Sequence, residues 1–310
     1  MNKVAFLFPG QGSQTVGMGR ELCEAYPVAR EVFAQADRIL GRSITEICFH
    51  GSAELLQDTQ NSQPAILTTS VAMWQIFNLA GIKPDYVAGH SLGEYSAIVA
   101  SGASTFESVL PLIKERARLM AEADPDGRGA MAAILGMERQ ALLDCLIRAS
   151  ELGKVETANF NSPGQIVISG DQVGLNRAKE LIEEQGGKVF PLAVSGAFHS
   201  SFMKPAAEKL KPFLQATTWN EPEVILIANV NARPVKAEEI PESLYQQLYS
   251  SVLWEETILF LHAQGVTTFV EIGQGRVLTG LVKKTLKGIT LLSCENLDSL
   301  KKALEILKEV

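Results

Sequence analysis

The stretch Tyr86-Val87-Ala88-Gly89-His90-Ser91-Leu92-Gly93-Glu94 constrains this chain more than any other. Three strand-type residues run into a serine with glycine two positions before and two after it. A helix-type run, Glu94–Ser101, follows at once. A strand that becomes a helix in so few residues needs a sharp, strained turn, and a side chain at either glycine would crowd it. This setting predicts Ser91 held up at a helix N-terminus, where the backbone N–H of Leu92 can face a developing oxyanion. Ser91 is therefore the candidate nucleophile. The plainer alternative is a Gly-rich strand–helix turn with an incidental serine.

Elsewhere, short apolar runs alternate with helical periodicity, which signals α/β architecture. Strand Val4–Phe8 stops at Pro9-Gly10, short of the roughly 7–15 apolar residues of a secretory leader, and reads as a first buried strand. A long helical stretch is expected over Gly19–Leu40, then a polar loop and a helix from Gln63 to Ala80. Asp124–Gly129 marks a boundary. Beyond it come strand Ala130–Leu135, helix Arg139–Glu151, strands Val155–Asn159 and Gln165–Ser169, helix Val173–Gln185 and strand Lys188–Val194. That β-α-β-β-α-β order is the ferredoxin-like pattern. It predicts a small subdomain, residues 129–194, inserted into a larger α/β unit whose halves are 1–128 and 195–310. The second half reads as strand Val224–Ile227, helix Tyr245–Gln264, strand Thr268–Ile272, helix Leu278–Leu286 and strand Thr290–Leu292.

Composition removes several function classes. The net charge of −7, with no dense Lys/Arg stretch, makes nucleic acid or an anionic membrane a poor partner. No apolar run reaches the roughly 18 residues of a membrane span. Cys23, Cys48, Cys145 and Cys294 are scattered without a CxxC pair. Neither a disulfide framework nor a metal site is expected, and a reduced, cytoplasmic setting is.

A nucleophilic serine needs a base, and the chain has four histidines. His90 lies inside the turn, His50 in an early loop, and His262 within a helical pattern. His199, in the small-residue loop Gly196-Ala197-Phe198-His199-Ser200-Ser201, falls where the chain returns from the insertion, which is where a cleft belongs. It is the candidate base. No Asp or Glu is evidently placed to orient it, so another acceptor, such as a backbone carbonyl, is expected.

The helical pattern Phe106–Ala123 has an apolar stripe of Val109, Leu112, Ile113, Leu119 and Met120. Arg116 falls on the centre line of that stripe, opposite Lys114, Glu115 and Arg118. An inward guanidinium needs an anionic partner. Either it makes a structural ion pair with Asp or Glu, or it grips the carboxylate of a substrate held beside Ser91. Helix geometry leaves both readings open.

Taken together, these residues resemble the malonyl-CoA:acyl carrier protein transacylase family, which includes free-standing acyltransferases serving polyketide synthases in trans. The resemblance spans essentially the whole chain. Its motifs are Phe8-Pro9-Gly10-Gln11-Gly12-Ser13-Gln14, Gln63-Pro64-Ala65, Gly89-His90-Ser91-Leu92-Gly93-Glu94, and Arg116 with Met120. Later come Asn159-Phe160-Asn161-Ser162-Pro163-Gly164-Gln165, Gly196-Ala197-Phe198-His199-Ser200, Gln247-Leu248-Tyr249 and Glu271-Ile272-Gly273. Ala117, Ala121, Ser251 and Gln274 depart from the family's usual residues.

The resemblance implies an α/β-hydrolase-like core with an inserted ferredoxin-like subdomain. It implies that Ser91 carries the acyl group, that His199 is the base and that the backbone carbonyl of Gln247 aligns it. The N–H groups of Gln11 and Leu92 would form the oxyanion hole, and Arg116 would hold the malonyl carboxylate. Gln63 would line the pocket, Asn161 would belong to the nearby cleft loop, and Phe198 would restrict space at the α-carbon. Malonyl-CoA is then a substrate, no cofactor is needed, and the partner is an acyl carrier protein or a polyketide synthase carrier domain. Lys188, Lys204 and Lys211 are candidates for its docking patch. A thioester hydrolase and a catalytically dead carrier-binding module are the competing readings.

Overall fold

The computed structural model describes residues 2–124, 126–194 and 196–308. Among these residues ten strands form two five-stranded sheets: β1 (Lys3–Phe8), β2 (Tyr86–Gly89), β3 (Gly129–Leu135), β4 (Val155–Ser162), β5 (Gln165–Asp171), β6 (Lys188–Pro191), β7 (Ile225–Ile227), β8 (Val252–Leu253), β9 (Val266–Glu271) and β10 (Thr290–Ser293). The larger sheet has the order β10-β9-β1-β2-β7 with every pairing parallel. Helices cover both of its faces, which is why β1 and β2 are apolar at nearly every position instead of alternating. From β1 the chain builds outward to β2 and β7 on one side and to β9 and β10 on the other. The direction reverses between β1 and β9, which makes that the topological switch point, and the usual ligand site lies beyond the strands' carboxyl ends there, close to those of β1 and β2. Gln11 and Ser91 follow those two ends.

The smaller sheet has the order β6-β3-β5-β4-β8. Strands β3, β4, β5 and β6 are antiparallel to their neighbours, and β8 adds to β4 in parallel. The helices Arg139–Ala149 and Gln172–Glu184 share an apolar cluster with Ile134, Ile166 and Ile168. The intervening Met131 and Val167 join the large core on the other face. This alternation follows from the two-residue period of a strand, and it seals the small sheet against the large one.

The chain departs from the sequence expectations at several points. The stretch Gly19–Leu40 is two helices, Arg20–Ala25 and Pro27–Leu40. Pro27 opens the second, and Tyr26 is extended because a residue before proline avoids the helical region. The expected helix Tyr245–Gln264 is instead helix Ile240–Gln247, the short strand β8 and helix Trp254–Ala263. Ser251 secures that break by donating from Oγ to the carbonyl of Thr157 at 2.6 Å. Strand β6 ends at Pro191, before Val194. The helix expected from Gln63 starts at Thr59, capped by the Asp58 carboxylate on the Gln60 N–H at 2.8 Å. Pro64 inside it cannot donate to the Gln60 carbonyl, and Arg42 fills that role at 2.8 Å. Helices also form over Ile44–His50, Ala53–Gln57, Lys204–Ala216 and Leu297–Lys308.

All four cysteines are buried and free. Burial pushes the Cys23 thiol up to about 11 and Cys48 up to about 12, and also raises Cys145 and Cys294. Among the described residues, no helix is long and apolar enough to cross a membrane.

Candidate active site

The turn after β2 is as tight as its glycines imply. A Cβ on Gly89 would lie 1.9 Å from the Gly93 carbonyl group, and one on Gly93 would lie 2.0 Å from the Phe8 carbonyl oxygen. Ser91 between them has φ 52°, and His199 has φ 57°. These are two of the three non-glycine residues with left-handed backbone among those described. Strain of this kind costs of order 1–3 kcal/mol per residue and persists where the surroundings enforce it. Asn229, after β7, enforces it at the turn. Its Oδ1 accepts from the Ser91 N–H at 2.7 Å, and its Nδ2 donates to the Gly89 carbonyl at 2.7 Å.

His199 meets this turn from the returning chain. Its Nε2 is 2.7 Å from Ser91 Oγ, and its Nδ1 is 2.9 Å from the Gln247 carbonyl oxygen. A carbonyl only accepts, so Nδ1 carries the hydrogen and Nε2 keeps a free lone pair for the Ser91 proton. Burial pushes the His199 pKa down to about 3, and the Arg116 cation adds to the shift. The imidazole is thus neutral at ordinary pH, as a base must be.

Arg116 is 1% exposed, although it carries a charge. One terminal nitrogen, Nη1, donates to Gln63 Oε1 at 2.7 Å. The other, Nη2, donates to Gln247 Oε1 at 3.0 Å and approaches Ser91 Oγ at 3.3 Å. The guanidinium carbon stands 5.3 Å from the centre of the Tyr95 ring. Every one of these acceptors is neutral. Among the described residues Arg116 makes no ion pair, and its Nε finds no acceptor. The Glu94 carboxylate is linked to it through the Gln247 amide, whose Nε2 donates to Glu94 Oε2 at 2.7 Å. The direct structural ion pair therefore has no partner.

A cavity of about 330 Å³ opens over Ser91 and His199, lined also by Gln11, Met120, Met131 and Phe198. Its walls come from both sheets, since Met131 lies on β3 and Leu192–Val194 follow β6. None of the hydrogen bonds made among the described residues uses the backbone N–H of Gln11 or of Leu92. Both remain available to an incoming oxygen. No group of three or more His, Cys, Asp or Glu among the described residues is arranged to hold a metal ion.

The comparison with known proteins decides the family. The family model for the acyl transferase domain matches residues 5–305. This chain belongs to the acyl transferase family. It is 49% identical over 312 residues to a malonyl CoA-acyl carrier protein transacylase of Bacillus subtilis, covering 100% of this chain and 98% of that protein. It is 40% identical to the protein of the same name from Escherichia coli K12, covering 99% of this chain and 100% of that one. Among solved structures, the malonyl CoA-acyl carrier protein transacylase of Clostridium perfringens aligns with a TM-score of 0.96 at 42% identity, covering 99% of this chain and 98% of its own. A malonyl-transacylase solved with its type II polyketide synthase acyl-carrier protein aligns with a TM-score of 0.96 at 40% identity, covering 98% and 100% of the two chains.

Within this acyl transferase, Ser91, His199, Gln247, Arg116 and Gln63 converge in one connected group, with Gln11, Leu92 and Phe198 around it. Asn161 does not face the cavity as a substrate-binding residue should. It lies on β4 and not in a loop, and its Oδ1 is engaged with His90 Nε2 at 2.8 Å. Asn159, two residues earlier on the same strand, lines the cavity, and the pairing of β4 is irregular between Phe160 and Ser162, where Asn161 lies. Gln63 reaches the site through Arg116, and its Nε2 is 3.4 Å from Met120 Sδ. His90 packs edge-on against Trp254, with ring centres 5.5 Å apart, and leaves Ser91 to His199. The structure adds Asn229, Tyr95 and Glu94, which residue types alone did not single out. The acidic residue right after the second glycine of the turn was a readable signal for Glu94, while nothing local marks Asn229.

Proposed function

We propose that this acyl transferase moves a malonyl group from malonyl-CoA to the phosphopantetheine thiol of an acyl carrier protein by way of an acyl-Ser91 intermediate. One observation carries the substrate choice: a buried Arg116 that donates only to neutral acceptors and comes within 3.3 Å of the nucleophilic oxygen. In a malonyl thioester the free carboxylate is two carbons from the carbonyl that Ser91 attacks, which suits that juxtaposition. The guanidinium gains a charge-assisted pair only when such an acyl group is present.

In the first half-reaction His199 Nε2 takes the Ser91 proton while Oγ bonds to the thioester carbon. The carbonyl oxygen becomes an oxyanion facing the N–H groups of Gln11 and Leu92. The C–S bond then breaks, and the CoA sulfur leaves with the proton from His199. The second half repeats these steps with the carrier thiol as nucleophile, which restores free Ser91. The Gln247 carbonyl keeps Nδ1–H fixed throughout and stabilises the transient imidazolium. No cofactor enters any step. Phe198 limits the room at the α-carbon, so unsubstituted malonyl is favoured.

In this reading the larger sheet is an α/β-hydrolase-like core made of residues 1–128 and 195–310, and 129–194 form a ferredoxin-like subdomain. The strand order β6-β3-β5-β4 supports it. The setting is cytoplasmic, as four unpaired cysteines suggest. The carrier belongs to fatty-acid or polyketide synthesis. Lys188, Lys204 and Lys211 are the basic residues offered to it, although Lys211 already lies 4.0 Å from Glu242. The hydrolase alternative has no use for an inward guanidinium, and a dead binding module has no use for a joined Ser91–His199 pair.

The test is intact-mass analysis after mixing with malonyl-CoA or acetyl-CoA. A malonyl adduct that vanishes when holo carrier protein is added is expected. Absence of an adduct, or an acetyl adduct formed as fast as the malonyl one, refutes the reading.

A further inference from the structure

Glu94 is 1% exposed, and the steps above do not use it. Its Oε2 accepts from Gln247 Nε2 at 2.7 Å and from the Asn229 N–H at 3.2 Å. Asn229 holds the Ser91 turn. Gln247 aligns His199 with its backbone carbonyl and receives Arg116 on its side-chain oxygen. One carboxylate oxygen therefore anchors both the nucleophile's turn and the residue between base and guanidinium.

The direction of the Gln247 amide follows from this anchoring. Its Nε2 faces two acceptors, Glu94 Oε2 and the Ser91 carbonyl at 2.9 Å. Turned over, the amide would set Oε1 against both acceptors and its NH₂ against the guanidinium, so only the observed orientation satisfies every group. We propose that Glu94 is a positioning residue for acyl-group selection, holding Arg116 on the carboxylate of the acyl donor by fixing the Gln247 amide. This rests on the malonyl-transfer reading. Burial raises the Glu94 pKa to about 7. The role survives protonation, because a proton on Oε1 leaves Oε2 free to accept from the same two donors.

That property separates shape from charge. Glu94→Gln keeps a carbonyl oxygen for both donors, whereas Glu94→Met keeps the bulk and removes the acceptor. The measurement is the rate of adduct formation with malonyl-CoA and with acetyl-CoA, each as a function of donor concentration, with the melting temperature recorded for every variant. Glu94→Met should lower the malonyl-to-acetyl ratio about tenfold or more, the effect of one misplaced hydrogen bond to a charged group. The fall should lie mainly in the malonyl-CoA concentration dependence, and Glu94→Gln should restore most of the ratio. A merely structural role lowers both donors alike, and that result, or an unchanged ratio in folded Glu94→Met, overturns the proposal. If Glu94→Met does not yield folded protein, Gln247→Met reads the same relay with the backbone carbonyl intact, and an unchanged ratio there also overturns it. Wild-type protein that forms no malonyl adduct would instead remove the underlying malonyl reading.

Discussion

Arg116→Ala tests substrate choice most directly, because the structure assigns the side chain neutral partners and a place beside Ser91. With a malonyl group bound, the guanidinium gains hydrogen bonds to a carboxylate, each worth about 1.5–3 kcal/mol. Losing one lowers malonyl transfer about ten- to a hundredfold, and losing a bidentate pair lowers it further. Acetyl has no carboxylate, so its transfer should be unchanged or faster. The structure adds a reason for the gain. The Arg116 cation helps to hold the His199 pKa near 3, and removing it lets that pKa rise. A stronger base results, and the acid limb of the acetyl pH–rate profile should move to higher pH in the variant. Gln63 and Gln247 each lose a donor to Oε1, but that loss is the same whichever donor is offered. The assay is single-turnover acylation with both donors on purified variant and wild type. Equal losses for malonyl and acetyl would refute the carboxylate assignment and make Arg116 a structural residue.

Ser91→Ala should form no adduct by intact mass while keeping its circular dichroism, because Asn229 binds the backbone N–H and not the hydroxyl; a persisting malonyl adduct would disprove the nucleophile. His199→Ala should slow acylation about 10²–10⁴-fold, and a rate close to wild type would show that another base takes the proton. The folded pKa of His199 lies below its ordinary value of 6.5, so as pH falls through 6.5 the unfolded chain takes up the proton first. Stability should therefore decline from pH 6.5 towards 3, and urea titrations across that range should show a shallower decline in His199→Ala. Gly89→Ala, with its Cβ driven against the Gly93 carbonyl group, should cost about 3 kcal/mol or more in urea unfolding, and a cost below about 1 kcal/mol would show that the turn can relax.

The parts of the site fixed by local geometry were readable in the sequence. Two glycines around a serine between strand and helix define a turn whatever the rest of the chain does. The helical period alone places Arg116 inward. The position of His199, at the return from the insertion where a cleft belongs, is what points to it. Gln247 carried no such mark, because it acts on His199 through a backbone carbonyl and every residue type has one. The apolar spacing of Tyr245, Leu248 and Val252 also imitates a continuous helix, and only pairing with the distant β4 pulls Val252–Leu253 into a strand. Asn229 was hidden for the same reason, since its partner Ser91 is 138 residues away. Asn161 shows the converse. A polar residue in a recognised motif can serve His90 while its neighbour two positions earlier faces the cavity.

The burial of the four cysteines has a consequence for an enzyme whose substrates and products are thioesters. Any thiolate within reach of an activated acyl group is a rival acceptor, and its rate follows the fraction ionised. Cys23 and Cys48, pushed up to about 11 and 12 and buried, hold almost no thiolate at neutral pH, and burial raises the pKa of Cys145 and Cys294 too. The protein thus keeps its own sulfur out of the exchange it carries out, and in the proposed mechanism this leaves acyl traffic to Ser91. Thiol-directed reagents should accordingly label the folded protein only slowly and leave its activity intact, while the same reagents stop the carrier by capping its free thiol.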